Sequence, residues 1–496
     1  MEVASTAPSV PPSPQLARDV AVSAGTQLGA RVLHLGLNLV SSLVIVRSMG
    51  PSSYGRYVLV ITLATFLGLL ADFGLAKLAV REIARDPGAE PEVLGTTILL
   101  RLALAAVAAA LVQAGLAALS APGEVRAAGA VASALFVTES LLSLVVTFHV
   151  RMKQQYEALV RVVMEALETG LVIWLVARSA SLVQLVAAPV VGATAGVVIA
   201  GWAVRRRFGV RLRFDARLAR RLMAAALPVG PALLLGAAYL KLGGVILAAR
   251  ATPREVGIYG AAFQPIEYLL LATAVLINVL YPLLARWHGA EPGTFLAVYR
   301  RGSEWLLAAT LPVPILLAFT AGPVVSFVFE PRFAASAGPL RLLSVALVLM
   351  SVSAWQSFVL LAGGRQRVAL VYDGVALAFT GLLGVLLVPS LGAAGAAIAT
   401  LAGSLVVAAW STIASSRLLG ATLDGQGLAR VGAAGAGLAV TMAVLRGAGV
   451  TWWAAMVVAA ASYPMWLRLA GILKTGELRA MLSRHPAAPT PVGEGA

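Results

Sequence analysis

The stretch LVQLVAAPVVGATAGVVIAGWA, residues 182–203, contains no charged residue and is long enough to cross a bilayer as one helix. About 20 apolar residues suffice for a hydrocarbon core of about 30 Å. Similar apolar stretches follow one another from Val20 to Leu473, with short polar gaps between them. The chain is therefore predicted to be an all-α polytopic membrane protein, because only helices and closed barrels satisfy every backbone hydrogen bond in lipid.

The composition supports this prediction. Hydrophobic residues make up 59% of the chain, charged residues only 12%, and the mean hydropathy is +0.89, whereas soluble domains carry about 25% charged residues. The net charge of +16 is typical of basic loops that orient a membrane protein, so nucleic acid is not expected as a partner. The absence of cysteine excludes disulfides and thiolate metal sites.

Hydropathy predicts about 14 transmembrane helices, an even number that places both termini on the same side. The predicted spans cover residues 20–46, 57–79, 97–118, 127–149, 157–177, 182–203, 225–249, 256–285, 304–328, 338–361, 368–388, 393–415, 431–446 and 450–472. With the N-terminus inside, 24 lysines and arginines fall on cytoplasmic loops and helix ends, and eight on the outer ones. The positive-inside rule therefore predicts that both termini are cytoplasmic.

The chain also contains an internal repeat. GPSSYGRY (50–57) and TPREVGIY (252–259) share the pattern Pro-x-x-x-Gly-x-Tyr, and each lies between the first and second spans of one half. A weaker echo pairs the ALV triplets at 158–160 and 369–371. Two pseudo-symmetric six-helix lobes plus two C-terminal helices are predicted, and transporters built from repeats bind substrate between them.

This repeat defines the predicted domains. They are a disordered cytoplasmic tail (1–18), an N-terminal six-helix lobe (19–203), a basic cytoplasmic linker (204–223), a C-terminal six-helix lobe (224–416), a cytoplasmic loop (417–430), two extra transmembrane helices (431–472) and a cytoplasmic tail (473–496). Eight arginines lie between Arg205 and Arg221. They either anchor the topology or attract an anionic lipid or substrate head group.

Polar residues follow one face of the first span at helical spacing. Gln27, Arg31, His34, Asn38 and Ser41 are separated by three or four residues. Charges inside a membrane normally face a bundle interior or a water-filled cavity. This face is predicted to line a polar cavity, and the alternative is helix packing through hydrogen bonds with Arg31 reaching the inner interface.

The fifth span carries Arg161, Glu165 and Glu168 on one face. Arg161 and Glu165 have the i,i+4 spacing of a helical ion pair, which would leave Glu168 as the unpaired acid. Either Arg161 neutralises these acids structurally, or one carboxylate takes up a proton or cation during transport.

The seventh span places Lys241 deep in apolar sequence, with no acid within one helical turn. Its partner must come from another helix or from the substrate, which favours a functional role. Gln264 and Glu267 share a face of the eighth span with Asn278, and Glu267 is the candidate counter-ion.

Three further acids lie within predicted spans: Asp72, Glu139 and Asp373. Asp72 and Asp373 are candidates for ion coupling or charge pairing, and a structural salt bridge is the favoured interpretation of Asp72 near the inner interface.

Other chemistries lack their motifs. The histidines do not have metal-ligand spacing, and no acidic loop predicts calcium. No Gly-x-x-x-x-Gly-Lys-Ser/Thr loop is present. We therefore expect no metal, no cofactor and no ATPase, and the short outer loops argue against an enzyme.

Several motifs resemble a known family. RSMGPSSYGRY (47–57), ADFGL (71–75), REIAR (81–85) and VPSLGAAGAAIAT (388–400) resemble the polysaccharide biosynthesis proteins. These are the O-antigen or lipid-linked oligosaccharide flippases of the multidrug/oligosaccharidyl-lipid/polysaccharide exporter superfamily. The likeness covers nearly all of the chain outside the tails.

The resemblance implies an ion-gradient-driven flippase that moves undecaprenyl-diphosphate-linked oligosaccharides across the bacterial inner membrane by alternating access. The implied partners are that glycan, membrane lipids and a polysaccharide polymerase or export complex. Arginine and lysine suit a diphosphate, as Arg31 and Lys241 would here. The candidates for glycan contacts are His34, Gln27, Asn38, Gln264, Trp355 and Gln356. The alternatives are a lipid II-type flippase, a multidrug or cation antiporter, or a membrane glycan polymerase or ligase.

Overall fold

A computed structural model describes residues 14–151, 153–209, 212–227, 230–287 and 291–473 of the protein. This part of the chain is helical and contains no strand. The α-helices are α1 (Pro14–Ser48), α2 (Pro51–Asp72), α3 (Leu75–Arg85), α4 (Glu90–Ala118), α5 (Gly123–Leu141), α6 (Val146–Val150), α7 (Gln154–Ala177), α8 (Leu182–Ala203), α9 (Ala216–Ala226), α10 (Gly230–Arg250), α11 (Pro253–Trp287), α12 (Pro292–Thr310), α13 (Pro312–Phe329), α14 (Ala337–Ala362), α15 (Gln366–Leu419), α16 (Gly425–Gly447) and α17 (Trp452–Leu469).

Each predicted span overlaps one or more of these helices. In the described residues, nine helical stretches are long and apolar enough to cross a membrane, and Val32–Ser48 is a shorter tenth. One of these stretches contains two predicted spans, 368–388 and 393–415: α15 turns at Gly392, whose φ of 54° and ψ of −130° interrupt the helix. The protein is therefore an all-α, multi-pass membrane protein, and the count of fourteen spans stays a prediction.

The chain divides into two compact units, which we call unit 1 (Met1–Ser48 and Leu63–Leu233) and unit 2 (Met49–Thr62 and Leu234–Ala496). In unit 1, α1 packs on α7, α7 on α8, α8 on α5, and α5 on α4. In unit 2, α14 packs on α11 and α15, while α16 and α17 pair with each other and pack on α12 and α13.

The second half of the basic stretch after α8 contains helix α9. Asp215 caps α9 by accepting hydrogen bonds from the backbone N–H groups of Arg217 and Leu218. The apolar face of α9 packs with α3, α6 and the start of α4 in one buried cluster, to which α9 contributes Leu218 and Leu222. This part of the predicted linker is therefore an amphipathic helix that belongs to unit 1.

The two repeated Pro-x-x-x-Gly-x-Tyr motifs contact each other within unit 2. They form the first turns of α2 and α11. A Cβ atom at Gly55 would overlap the carbonyl oxygen of Pro253, and one at Gly257 would overlap the carbonyl oxygen of Pro51. Each glycine thus faces the proline carbonyl of the other motif. Such close approach of two helix backbones in a membrane requires residues without a side chain.

We predict that Gly55→Ala and Gly257→Ala each destabilise the protein by about 1–3 kcal/mol, because a backbone carbonyl cannot rotate away from the new methyl group. Alanine's better helix propensity offsets at most about 1 kcal/mol of this loss. Thermal unfolding in detergent micelles measures the effect. Gly50→Ala is the matched control, because nothing lies within 4 Å of a Cβ there. Equal unfolding midpoints for all three variants would refute the close contact.

Candidate functional site

The polar face of α1 lies against α7 in unit 1. His34 Nδ1 is 3.1 Å from Glu165 Oε2, and the Glu165 side chain is only 7% exposed. Glu168, three residues further along α7, interacts electrostatically with both Glu165 and His34. The hydroxyl of Thr169 donates a hydrogen bond to the carbonyl of Leu37 over 3.2 Å. Two helices thus bring an imidazole and two carboxylates together.

The orientation of α1 explains why these groups meet. Its large apolar side chains Val32, Leu33, Leu39 and Val40 are exposed, as expected of a surface that faces lipid. Ser41 is buried, and His34 and Asn38 are partly buried. The side chains of Gln27 and Arg31 lie outside the described residues. For the remaining members of the predicted stripe, the polar face is turned inward.

One predicted ion pair is wrong. The sequence spacing predicts that Arg161 pairs with Glu165, but Arg161 Nε lies 3.0 Å from Glu157 Oε1. Both partners have i,i+4 spacing, and the Arg161 side chain is 54% exposed. The Arg161 guanidinium therefore pairs with the acid at the start of α7. Glu165 instead pairs with His34 of α1.

Among the described side chains, this leaves the His34 cluster, defined as His34, Glu165 and Glu168, with more acidic than basic groups. Two carboxylates face one imidazole, which carries charge only when protonated. Within the described part of the chain, the buried Oε1 atom of Glu165 accepts no hydrogen bond. A proton or a cation would neutralise this excess, so the cluster has the chemistry of an ion-coupling site.

A second charged group in unit 1 connects two helix ends. Arg101 of α4 is 93% buried, and its Nη2 atom lies 3.4 Å from Asp72 Oδ1. Arg101 Nη1 donates a hydrogen bond over 2.5 Å to the hydroxyl of Ser143, just after α5 ends. Asp72 Oδ2 accepts from the backbone N–H of Gly74, where α2 ends. Asp72 is therefore a structural salt-bridge member, as the sequence favoured.

Arg101 was not among the residues predicted from the sequence. A charge near the start of a predicted span was the available signal, but no acid lies three or four residues from it in α4. Its partners come from α2 and from the residues that follow α5, so only the packing reveals them. Arg101 also interacts electrostatically with Glu139.

In unit 2, Lys241 of α10 forms an ion pair with Glu267 of α11. This confirms the predicted partnership. The Lys241 side chain is 21% exposed and that of Glu267 is 40% exposed, so neither charge is sealed in a core. In the same helix, Gln264 Oε1 accepts a hydrogen bond from the Tyr54 hydroxyl over 3.1 Å. Both charged side chains of the pair thus keep part of their surface exposed.

The remaining candidates lie elsewhere in unit 2. Asp373, in the first half of α15, is partly buried and interacts electrostatically with Tyr239 and Tyr372. Tyr239 also shares a 2.9 Å hydrogen bond with Ser404. Asn278 is exposed. In the described ranges, no group of three or more histidine and acidic side chains is arranged to hold a metal ion.

Trp355 and Gln356 are not available for glycan contacts. Both are at most 1% exposed. Trp355 Nε1 donates to the Ser303 hydroxyl and Gln356 Nε2 to the Tyr299 hydroxyl, each over 2.9 Å. They were predicted as glycan contacts because a glycan needs aromatic faces and hydrogen-bonding groups, yet both side chains are buried in unit 2.

The described helices define a multi-pass membrane protein, and its fold is one that solved flippases and transporters share. The fold is similar to that of the lipid II flippase MurJ in an inward closed conformation, with a TM-score of 0.73 and 9% identity over 90% of this chain and 98% of MurJ. An inward-facing multidrug resistance MATE family transporter of the MOP superfamily matches with a TM-score of 0.62 and 15% identity, over 79% and 98% of the two chains. A MOP superfamily transporter from Pyrococcus furiosus matches with a TM-score of 0.56 and 16% identity, over 81% of this chain and 95% of the transporter.

The sequence itself identifies the family. Residues 17–288 match the family described as polysaccharide biosynthesis protein, which is more than half of the chain. The chain belongs to the polysaccharide biosynthesis protein family. No curated protein matches it significantly. The resemblance found in the motifs is therefore confirmed at the level of family and fold.

Proposed function

We propose that this protein is a flippase for undecaprenyl-diphosphate-linked oligosaccharide repeat units in the bacterial inner membrane. It has no enzymatic activity in this proposal, and both termini are cytoplasmic. The observation that carries the proposal is the accessible Lys241–Glu267 pair in unit 2. Lys241 lies in a predicted span, and among the described residues its counter-ion is the partly exposed carboxylate of Glu267, so it is suited to exchange that carboxylate for an anionic cargo.

The exchange has a simple electrostatic basis. A diphosphate brings at least as much negative charge as Glu267, so it can replace Glu267 as the counter-ion of Lys241. Glu267 then lacks a partner and must be neutralised by a proton or a cation, because an uncompensated charge in this environment is costly. Cargo binding in unit 2 is thereby linked to ion uptake.

The His34 cluster provides the second half of the proposal. Its two carboxylates, Glu165 and Glu168, lie in unit 1, whereas Lys241 lies in unit 2. We assign the cluster to coupling by a proton or cation gradient, which would drive alternating access without ATP. Arg31 stays a proposed cargo-binding residue on sequence grounds alone, as does association with a polysaccharide polymerase.

Structures similar to this one include a lipid II flippase and a multidrug resistance transporter, which suggest two other cargoes. MurJ is a lipid II flippase, and lipid II also carries a diphosphate, so the Lys241 argument serves both. The MATE neighbours are multidrug resistance transporters, and the acidic His34 cluster is the observation that favours a cationic substrate. For the Pyrococcus furiosus transporter, a reverse polarity of the binding pocket suggests a different function. Lys241 favours the anionic cargo here.

We predict that Lys241→Ala reduces translocation of a diphosphate-linked oligosaccharide in proteoliposomes at least about tenfold, because about 1.4 kcal/mol of lost binding in the transport cycle gives that factor. Lys241→Arg retains most of the rate, since it keeps the charge. Translocation is measured as protection of labelled cargo from an impermeant reagent. Arg31→Ala is expected to behave like Lys241→Ala.

The control for this prediction is Lys153→Ala, which removes an exposed lysine from the loop before α7. The double variant Lys241→Ala/Glu267→Gln removes the whole pair, so it leaves no unpaired charge to destabilise unit 2. Its translocation should remain as low as that of Lys241→Ala. Full transport in the double variant would show that Lys241 does not bind cargo.

We further predict that Glu165→Gln or Glu168→Gln abolishes the stimulation of transport by an imposed ion gradient, while slow downhill exchange continues. Glutamine keeps the shape but cannot bind a proton or balance a cation. Rates with and without a pH or sodium gradient give the measurement, and Glu267→Gln tests the third acid. Glu157→Gln, in the same helix and paired with exposed Arg161, should keep wild-type stimulation. The coupling assignment fails if all of these variants still respond to the gradient.

A further inference from the structure

The outer faces of α3 and α9 form a basic surface at one end of unit 1. We define this α3–α9 surface by its exposed cations, which are Lys77, Arg81, Arg85, Arg217, Arg220 and Arg221. The opposite, apolar faces of both helices are buried together in one cluster that includes Leu75, Leu78, Leu218 and Leu222. The buried faces fix the two helices in place, so the six cations point away from the core.

The acids near this surface are mostly engaged elsewhere. Asp215 and Asp86 accept hydrogen bonds from backbone N–H groups at helix starts. Glu90 lies 2.6 Å from Arg151, and Glu92 lies 3.5 Å from Arg213. Glu82 alone faces the surface, between Arg81 and Arg85 at 3.6 and 3.4 Å.

The three arginines of α9 therefore carry uncompensated charge. Across the described ranges, no carboxylate lies within ion-pair distance of Arg217, Arg220 or Arg221, and their spacing of three and four residues aligns them on one face. Like charges at this spacing repel each other. A protein that keeps such a face gains by binding an external anion.

The position of the surface identifies the anion. Helix α3 follows α2 directly through Phe73 and Gly74, both with positive φ, and α9 ends four residues before α10 begins. Both flanking helices are apolar and belong to predicted spans. The cations therefore lie within a few residues of the membrane boundary, where phospholipid head groups are the most concentrated anions. Exposed Phe214 and Leu227 flank α9 and offer apolar contact to acyl chains.

We infer that the α3–α9 surface binds the head groups of anionic phospholipids. Juxtamembrane lysines and arginines each contribute about 1 kcal/mol to such binding, so the three α9 arginines provide a factor on the order of 100. Bound lipid would cancel the repulsion between these arginines and hold this end of unit 1 against the bilayer. The occupant is structural lipid, distinct from the cargo proposed for Lys241.

The test uses the purified full-length protein in neutral detergent, with phosphatidylglycerol and phosphatidylcholine titrated separately and bound lipid counted by native mass spectrometry. The variant R217Q/R220Q/R221Q should bind phosphatidylglycerol on the order of 100-fold more weakly than wild type. The matched control R126Q/R178Q/R250Q removes the same charge from exposed arginines at the ends of other helices and should bind within about twofold of wild type. Added salt should weaken wild-type binding, because it screens exposed charges.

Three results would overturn the inference. The first is equal binding of phosphatidylglycerol by wild type and R217Q/R220Q/R221Q, and the second is wild-type binding of phosphatidylcholine as tight as that of phosphatidylglycerol. The third is displacement of bound phosphatidylglycerol by inorganic diphosphate at equal concentration, which would assign the surface to a soluble or cargo diphosphate. An unchanged unfolding midpoint in the triple variant confirms that it is folded, since its three arginines are exposed. Binding is measured without cargo, so the outcome is independent of transport.

Discussion

An ionised group inside a bilayer has no water to stabilise it, so its counter-charge must come from the protein, from a mobile ion or from a ligand. The described spans of this protein obey that constraint with pairs that join different helices. Arg101 meets Asp72, Lys241 meets Glu267, and Glu165 meets His34. In the first pair the Arg101 side chain is buried and also donates a hydrogen bond to Ser143, so it connects the end of α2 to the residues that follow α5 and stabilises unit 1. In the Lys241 pair both side chains are partly exposed, and in the His34 cluster two acids share one imidazole; the proposed transport function rests on these two features.

The second constraint is geometric. Gly55 and Gly257 occupy equivalent positions in the two repeats, and each faces the carbonyl oxygen of the other repeat's proline. The first turns of α2 belong to unit 2, whereas the rest of that helix belongs to unit 1. The repeated motif is therefore a packing motif, which explains why a glycine and a proline recur at the same spacing without any catalytic role. It also shows that the two halves of the sequence do not map one to one onto the compact units.

Hydropathy was sufficient to predict the helices, because crossing about 30 Å of hydrocarbon requires long apolar runs whatever the tertiary structure. The pairing of charges was harder to predict, because it depends on which helices are neighbours. Arg161 has an acid four residues away on either side, Glu157 and Glu165, and it pairs with Glu157. Arg101 had no partner in its own helix, and Trp355 and Gln356 became core residues. Lys241 and Glu267 were paired correctly because each was the conspicuous charge of an otherwise apolar stretch. Helix α9 was not predicted, because its sequence belongs to the arginine-rich linker. Its leucines pack on α3.

We propose that this family member moves a diphosphate-linked glycan out of the inner leaflet. Mass analysis of lipid extracts from cells depleted of the protein tests this, combined with an impermeant reagent that labels only outward-facing glycan. We expect one intact lipid-linked repeat unit to accumulate and stay unlabelled, and its mass to identify the cargo. Normal levels of labelled lipid-linked glycan, together with altered drug sensitivity, would refute the flippase proposal and favour an efflux transporter.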